Sequence, residues 1–190
     1  MEGLKEISTI NPLKYEKLLL KDSIRILKLE AAQTDDAELH ASFFETKLSE
    51  APSYEAISYT WGAAAVSKTL HFPSGYVKIT ENLDSALRRF RHKDCERIIW
   101  ADAVCIDQKN DAEKGAQVAI MGDIYKRASQ VLIWLGNDSP EIAHAIQGYE
   151  ILADELSAGI PDMIMGYGMN LIYNRPWFSR LWTVQEVALA

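Results

Sequence analysis

The residues with the best claim to chemistry are the last fifteen, Pro176-Trp-Phe-Ser-Arg-Leu-Trp-Thr-Val-Gln-Glu-Val-Ala-Leu-Ala190, which set one carboxylate, Glu186, beside two tryptophans. Proline is pre-set for a first helical turn. At about 3.6 residues per turn, Trp177, Phe178, Leu181, Trp182, Val184, Ala188 and Leu189 form one broad apolar face, with Glu186 at its edge one turn after Trp182. Gln185 projects into the middle of that face and Arg180 falls among apolar neighbours, so each needs a partner if buried. A polar cluster in apolar surroundings is what a reactive site requires. The same pattern also fits an amphipathic core helix with a solvated glutamate, and patterning alone leaves both readings open.

A second cluster is Asp102 and Asp107, which bracket Cys105 in a loop after a strand. Two such acids suit a ribose or a cation, and equally the capping of turns or of the following helix. Cys105 has no sequence-local partner and reads as a small apolar side chain. The segment Gly62-Ala-Ala-Ala-Val-Ser-Lys-Thr69 imitates a phosphate-binding loop, but Ser67 stands where the second glycine belongs and a strand follows instead of a helix. Gly166-Tyr167-Gly168 lacks both the third glycine of a dinucleotide fingerprint and a preceding strand. His40, His71, His92 and His144 are dispersed without metal-ligand spacing, so no metal is expected.

The elements that must position these residues follow from periodicity. Ser23 to Leu29 alternates in part and reads as a strand; Glu30 to Pro52 carries scattered acids and reads as a variable loop with a short strand or helix. Tyr54 to Trp61 is strongly β-prone, ends at Gly62, and is expected as a central strand. Thr69–Phe72 and Tyr76–Ile79 flank Pro-Ser-Gly and predict a peripheral hairpin. From Thr80 the period becomes helical through Leu83, Ala86, Leu87 and Phe90, with Thr80 or Asn82 as N-cap. Arg97 to Ala101 is the next strand, and a helix begins near Asp111 with Gln117 on its apolar stripe. The continuous run Gln130 to Leu135 reads as a strand covered on both faces, and 141–156 as a helix. Alternating strands and helices imply right-handed crossovers and a three-layer α/β fold, a mainly parallel sheet flanked by helices. Such sheets place ligands at the carboxyl ends of their strands, here 58–62, 101–108 and 135–138.

A hydrophobic content of 48% supports a substantial core. A net charge of −7 argues against nucleic acid, and the basic run Arg88 to Lys93 sits where a helix terminus favours cations. No stretch approaches the roughly 18 apolar residues of a membrane span, and two cysteines without a secretory signal suit a reducing, cytoplasmic location. The chain stops just after an apolar helical run with no Gly, Asn or basic residue to end it. That predicts a piece of a longer protein, with regulatory domains or partner proteins outside it.

Taken together, 54–62, Ile99 to Gln108, Gln117 to Met121, Ile124-Tyr125, Ala128 to Gly136 and Trp177 to Glu186 resemble the fungal heterokaryon incompatibility (HET) domain. The likeness covers 23–190, leaving 1–22 as an extension. It departs at Asp107, where the family commonly has Asn, and at Lys114, where it commonly has Arg. The resemblance implies a cytosolic module that triggers cell death after non-self recognition. It further implies likeness to the Toll/interleukin-1 receptor (TIR) fold, a flavodoxin-like layering in which Tyr54 to Trp61 is the first strand and Trp182 to Glu186 is similar to a helix carrying Trp, Cys and a catalytic Glu, with Thr183 in place of Cys. By that resemblance Glu186 is the expected catalytic residue in cleavage of the nicotinamide glycosidic bond of NAD, a substrate and not a permanently bound cofactor. Tyr59, Trp61, Gly62, Asp102, Asp107, Arg180, Trp182 and Gln185 are the expected pocket residues, and a homo-oligomer the expected active state. Arg180 then meets the pyrophosphate or pairs with Asp102 or Asp107. The alternative is a non-catalytic, self-assembling signalling module.

Overall fold

A strand in which six of seven residues are buried must lie deep in a sheet, and Ser23–Leu29 (β1) is such a strand. In the computed structural model, which describes residues 11–19, 22–62, 65–140, 170 and 172–180, β1 occupies the centre. The elements after it are Leu39–Lys47 (β2), Glu55–Tyr59 (β3), Lys68–Phe72 (β4), Gly75–Ile79 (β5), Glu81–Phe90 (α1), Arg97–Trp100 (β6), Asp102–Cys105 (α2), Asp111–Arg127 (α3) and Gln130–Trp134 (β7). Short 3-10 turns cover Leu48–Glu50 and Pro176–Ser179.

The seven strands form one sheet in the order β5-β4-β2-β1-β6-β3-β7. β1 runs antiparallel to both neighbours, pairing Ser23 with Lys47 through Leu29 with Ala41 on one side and Leu27 with Ile99 on the other. β3 runs parallel to β6 and to β7, with Tyr59 opposite Trp134, and β2 runs parallel to β4. The sheet is therefore mixed, which corrects the expectation of a mainly parallel one. The parallel trio β6-β3-β7 was visible from its intervening helices, whereas β2 lay in the stretch read as a loop. Its adjacent Phe43 and Phe44 point to opposite faces, as successive strand residues must, and both are only half-buried, which blurs the period-2 signal. Central position belongs to β1, and β3 lies second from the edge. Likewise β7 is the edge strand among the described residues, and its exposed Gln130 and Ile133, the latter bordering an open groove, correct the expectation of a strand covered on both faces.

The predicted hairpin is present as β4 and β5, with Gly75 at a φ of 152° where a Cβ would come within 2.5 Å of the Asn11 carbonyl. Thr80 caps α1 by accepting from the Leu83 N–H at 3.3 Å, and α1 packs against β2, β3 and β4. At its other end Arg88 pairs with Asp84, and Arg88 and Arg91 donate to backbone carbonyls between Thr34 and Glu38, so the basic run fastens a loop. Asn110 caps α3, which is pinned to the sheet by three buried side chains: Gln117 donates to the Ser23 carbonyl at 2.8 Å, Tyr125 to Ile57 at 3.1 Å, and Tyr54 from β3's entry to Ile124 at 2.5 Å. Ile26, Leu29, Ile57, Leu83, Trp100 and Ile124 are fully buried between these elements. Among the described residues no helix is long and apolar enough to cross a membrane.

Candidate functional site

Because β3, β6 and β7 run parallel, their carboxyl ends emerge on one side, and the loops at 60–62, 101–110 and 135–138 gather there. Trp61 is 44% exposed, yet its indole Nε1 donates to Asp102 Oδ2 at 3.0 Å. The other oxygen, Oδ1, accepts from the Ala103 N–H at 2.7 Å, and the Asp102 carbonyl accepts from Gln108 Nε2 at 2.8 Å. Asp102 thus holds an aromatic ring at the mouth of the loop cluster. Tyr59 stands behind it, 2% exposed, so its ring supports the wall and is not presented to a ligand. Burial, and then the adjacent Asp102 charge, push its phenol well above the ordinary tyrosine range.

Asn82, in the first turn of α1, ties two strand ends to that helix. Its amide Nδ2 donates to the Thr60 carbonyl at 2.5 Å and to Thr60 Oγ1 at 3.1 Å, while its Oδ1 accepts from Trp134 Nε1 at 2.9 Å. The indole only donates and the carbonyl only accepts, so the two ends of this amide are fixed by chemistry. Around it opens a cleft of about 390 Å³ lined by Thr60, Trp61, Gly62, Ser67, Asn82, Gly136 and Arg175. Gly62, at a φ of 72°, makes the turn out of β3. Past Gly136 and Arg175 the cleft adjoins a larger groove of about 830 Å³ between α1 and β7, bordered by Arg89, Phe90, Lys93, Ile133 and Trp134.

The segment carrying the closing motif docks against the same strand. Trp177 is buried and its Nε1 donates to Ser58 Oγ at 2.7 Å, inside β3. Phe178, expected on the buried face, is 37% exposed and packs edge-on against the rings of Tyr173 and Trp177. The 3-10 turn explains the difference, because its tighter winding rotates neighbouring side chains away from an α-helical stripe. Arg180 is half-buried and ends this turn, its N–H reaching the Trp177 carbonyl at 3.3 Å. Trp182, Gln185 and Glu186 lie outside the described residues.

The family model described as heterokaryon incompatibility protein (HET) matches residues 54–186. The chain belongs to the HET family. It is also 29% identical to heterokaryon incompatibility protein 6, OR allele, of Neurospora crassa, over 96% of this chain and 35% of that protein. The chain therefore spans about a third of the length of this relative. No solved structure matches it.

Within the HET domain the two acids that bracket Cys105 part company. α2 turns Asp102 toward β3, while Asp107 faces the opposite cluster: its N–H donates to Glu113 Oε1 at 2.8 Å and its Oδ1 accepts from the Lys109 N–H at 3.1 Å. Asp107 therefore shapes a turn and does not join Trp61 and Asp102. Cys105 is fully buried, and burial pushes its thiol up to about 12, as suits an inert packing residue. Its carbonyl accepts from Arg25 Nη1 at 3.2 Å, and Arg25 forms a two-armed ion pair with Glu113. The HET residues that sequence reasoning passed over are Trp134 and Arg175, while Ser58 and Thr60 were included only as part of the 58–62 strand end and Asn82 only as a cap. Their common signal is position: each stands in the site-facing half of a parallel strand, in the loop after it, or in a segment docked on it.

Proposed function

We propose that this HET domain triggers cell death in fungal non-self recognition by hydrolysing the nicotinamide glycosidic bond of NAD, with Glu186 as the catalytic carboxylate. The observation carrying this reading is the polar, aromatic-walled cleft at the carboxyl ends of β3 and β7, beside which the chain leading to Glu186 docks through Trp177 and Ser58. As the glycosidic bond breaks, its electron pair leaves with nicotinamide, whose cationic ring becomes neutral without a proton from a strong general acid. The ribose is left oxocarbenium-like, and a carboxylate stabilises it by charge and by hydrogen bonds to its hydroxyls. Water then adds to the anomeric carbon and loses a proton, giving ADP-ribose. Trp61, held edge-on by Asp102, offers a face for ring stacking.

Purified protein, alone and under forced clustering, is expected to release nicotinamide from NAD, and Glu186→Gln to abolish release while leaving the thermal transition in place. The exposed Tyr173 and Phe178 rings favour a second reading, a non-catalytic module that signals by self-assembly. Intact NAD under forced clustering, together with death signalling that survives Glu186→Gln, would establish that second reading and discard the first.

A further inference from the structure

We propose that Arg175 is the anion-binding residue of this site and that its ligand class is a nucleotide carrying a pyrophosphate, gripped where the two parts of the groove meet. Arg175 borders both the 390 Å³ cleft and the 830 Å³ groove. It is half-buried, and among the described residues its guanidinium makes no hydrogen bond or ion pair. The neighbouring arginines differ: Arg88 is spent on Asp84 and two carbonyls, and Arg91 on the carbonyls of the 34–38 loop. A half-buried guanidinium with its donors unspent, beside a cavity, is a binding group for carboxylate or phosphate.

The backbone beneath it is built to leave it room. Gly136 has a φ of 104°, and a Cβ there would lie 3.3 Å from Arg175 Nη1. On one side of this waist are Trp61 and the Asn82 amide; on the other are Phe90 and Trp134, which pack edge-on with ring centroids 5.9 Å apart. Two ring-lined chambers joined at a cation match a ligand with two ring-bearing ends and an anionic link. The acids bordering the two chambers, Asp35, Glu81 and Asp138, are exposed and form no ion pair with Arg175. The choice of nucleotide over another diphosphate rests on the proposed function.

The test is calorimetric titration of the purified protein with ADP, with adenosine and inorganic pyrophosphate as controls. ADP and pyrophosphate are expected to bind and adenosine to bind far more weakly. Arg175→Gln is expected to weaken ADP about 10- to 100-fold, the loss of one charge-assisted pair of hydrogen bonds, and Arg175→Lys to recover part of it. In the unaltered protein ADP should also protect Arg175 from phenylglyoxal, read by peptide mass, a measurement that needs no folded variant. Equal ADP affinity in a folded Arg175→Gln protein, no binding of ADP to the unaltered protein, or no protection would each overturn the assignment. Nicotinamide release with an unchanged KM in Arg175→Gln overturns this assignment alone; Arg175-dependent ADP binding without nicotinamide release overturns hydrolysis alone.

Discussion

Glu113→Gln should be among the most damaging single substitutions in the domain, although Glu113 does not line the candidate cleft. The side chains of Arg25 and Glu113 are only 5% and 7% exposed. Arg25 uses both terminal nitrogens on the carboxylate, with Nη2 to Oε2 at 2.9 Å, and also reaches the Glu16 and Cys105 carbonyls. Glu113 in turn accepts from the Asp107 N–H at 2.8 Å, so one carboxylate holds the loop that begins at Asp102. The glutamine variant keeps the shape and removes the charge, leaving a buried guanidinium without a counter-ion at a cost of about 3–5 kcal/mol. That is a large share of the roughly 5–15 kcal/mol of an ordinary domain, and corresponds to a fall in Tm of about 6–20 °C. Thermal and urea unfolding followed by near-ultraviolet circular dichroism measure it. The companion variant Arg25→Met/Glu113→Leu removes both charges and should be less destabilised than Glu113→Gln alone. Burial raises the Glu113 pKa, but the Arg25 guanidinium and the Asp107 N–H outweigh it and hold the carboxyl below its ordinary value. The ion pair's contribution is thus complete above the unfolded carboxyl range near pH 4.5 and is lost as pH falls through the lower folded value, so the gap between wild type and Glu113→Gln should close in acid. A loss under 1 kcal/mol at pH 7, or a double variant less stable than the single one, would refute the reasoning.

Trp177→Phe keeps an apolar ring but removes the donor to Ser58 Oγ, and should lower stability by about 1–3 kcal/mol; a Ser58→Ala/Trp177→Phe double variant that costs the full sum of the two single ones would show that the bond contributes nothing. The two thiols should separate cleanly: Cys95 is exposed, whereas Cys105 is buried with its pKa near 12. Iodoacetamide at pH 8 is therefore expected to label one thiol per folded chain and two in guanidinium chloride, and rapid labelling of Cys105 in the folded protein would contradict its placement.

What could be read in the chain was local. Thr80 as a cap, Pro-Ser-Gly as a hairpin turn, Gln117 on a buried stripe and Cys105 as a packing residue all follow from a few neighbouring residues, and each stands in the structure where that pattern puts it. The antiparallel half of the sheet was not legible in the same way. β1 is central only because β2 and β6 close on it from opposite sides, and β2 advertises itself poorly, with apolar residues that serve both faces in turn.

The site divides along the same line. Asp102 and Asp107 are nearly symmetrical about Cys105 in sequence, and nothing in their neighbours says that a four-residue helix will send one toward Trp61 and leave the other at the Arg25–Glu113 pair. Asn82 was recognisable as a helix-start residue, but its bridge joins Thr60 and Trp134, 22 and 52 positions away. Trp177 reaches Ser58 across 119. These long-range bonds matter for function because they tether the cleft's walls: Asn82 holds the end of β3 to the end of β7, and Trp177 holds the 176–179 turn to β3. Among the described residues lining the cleft Arg175 is the one cation, and for that reason it is expected to affect affinity for any pyrophosphate-bearing ligand more evenly than Trp61 does.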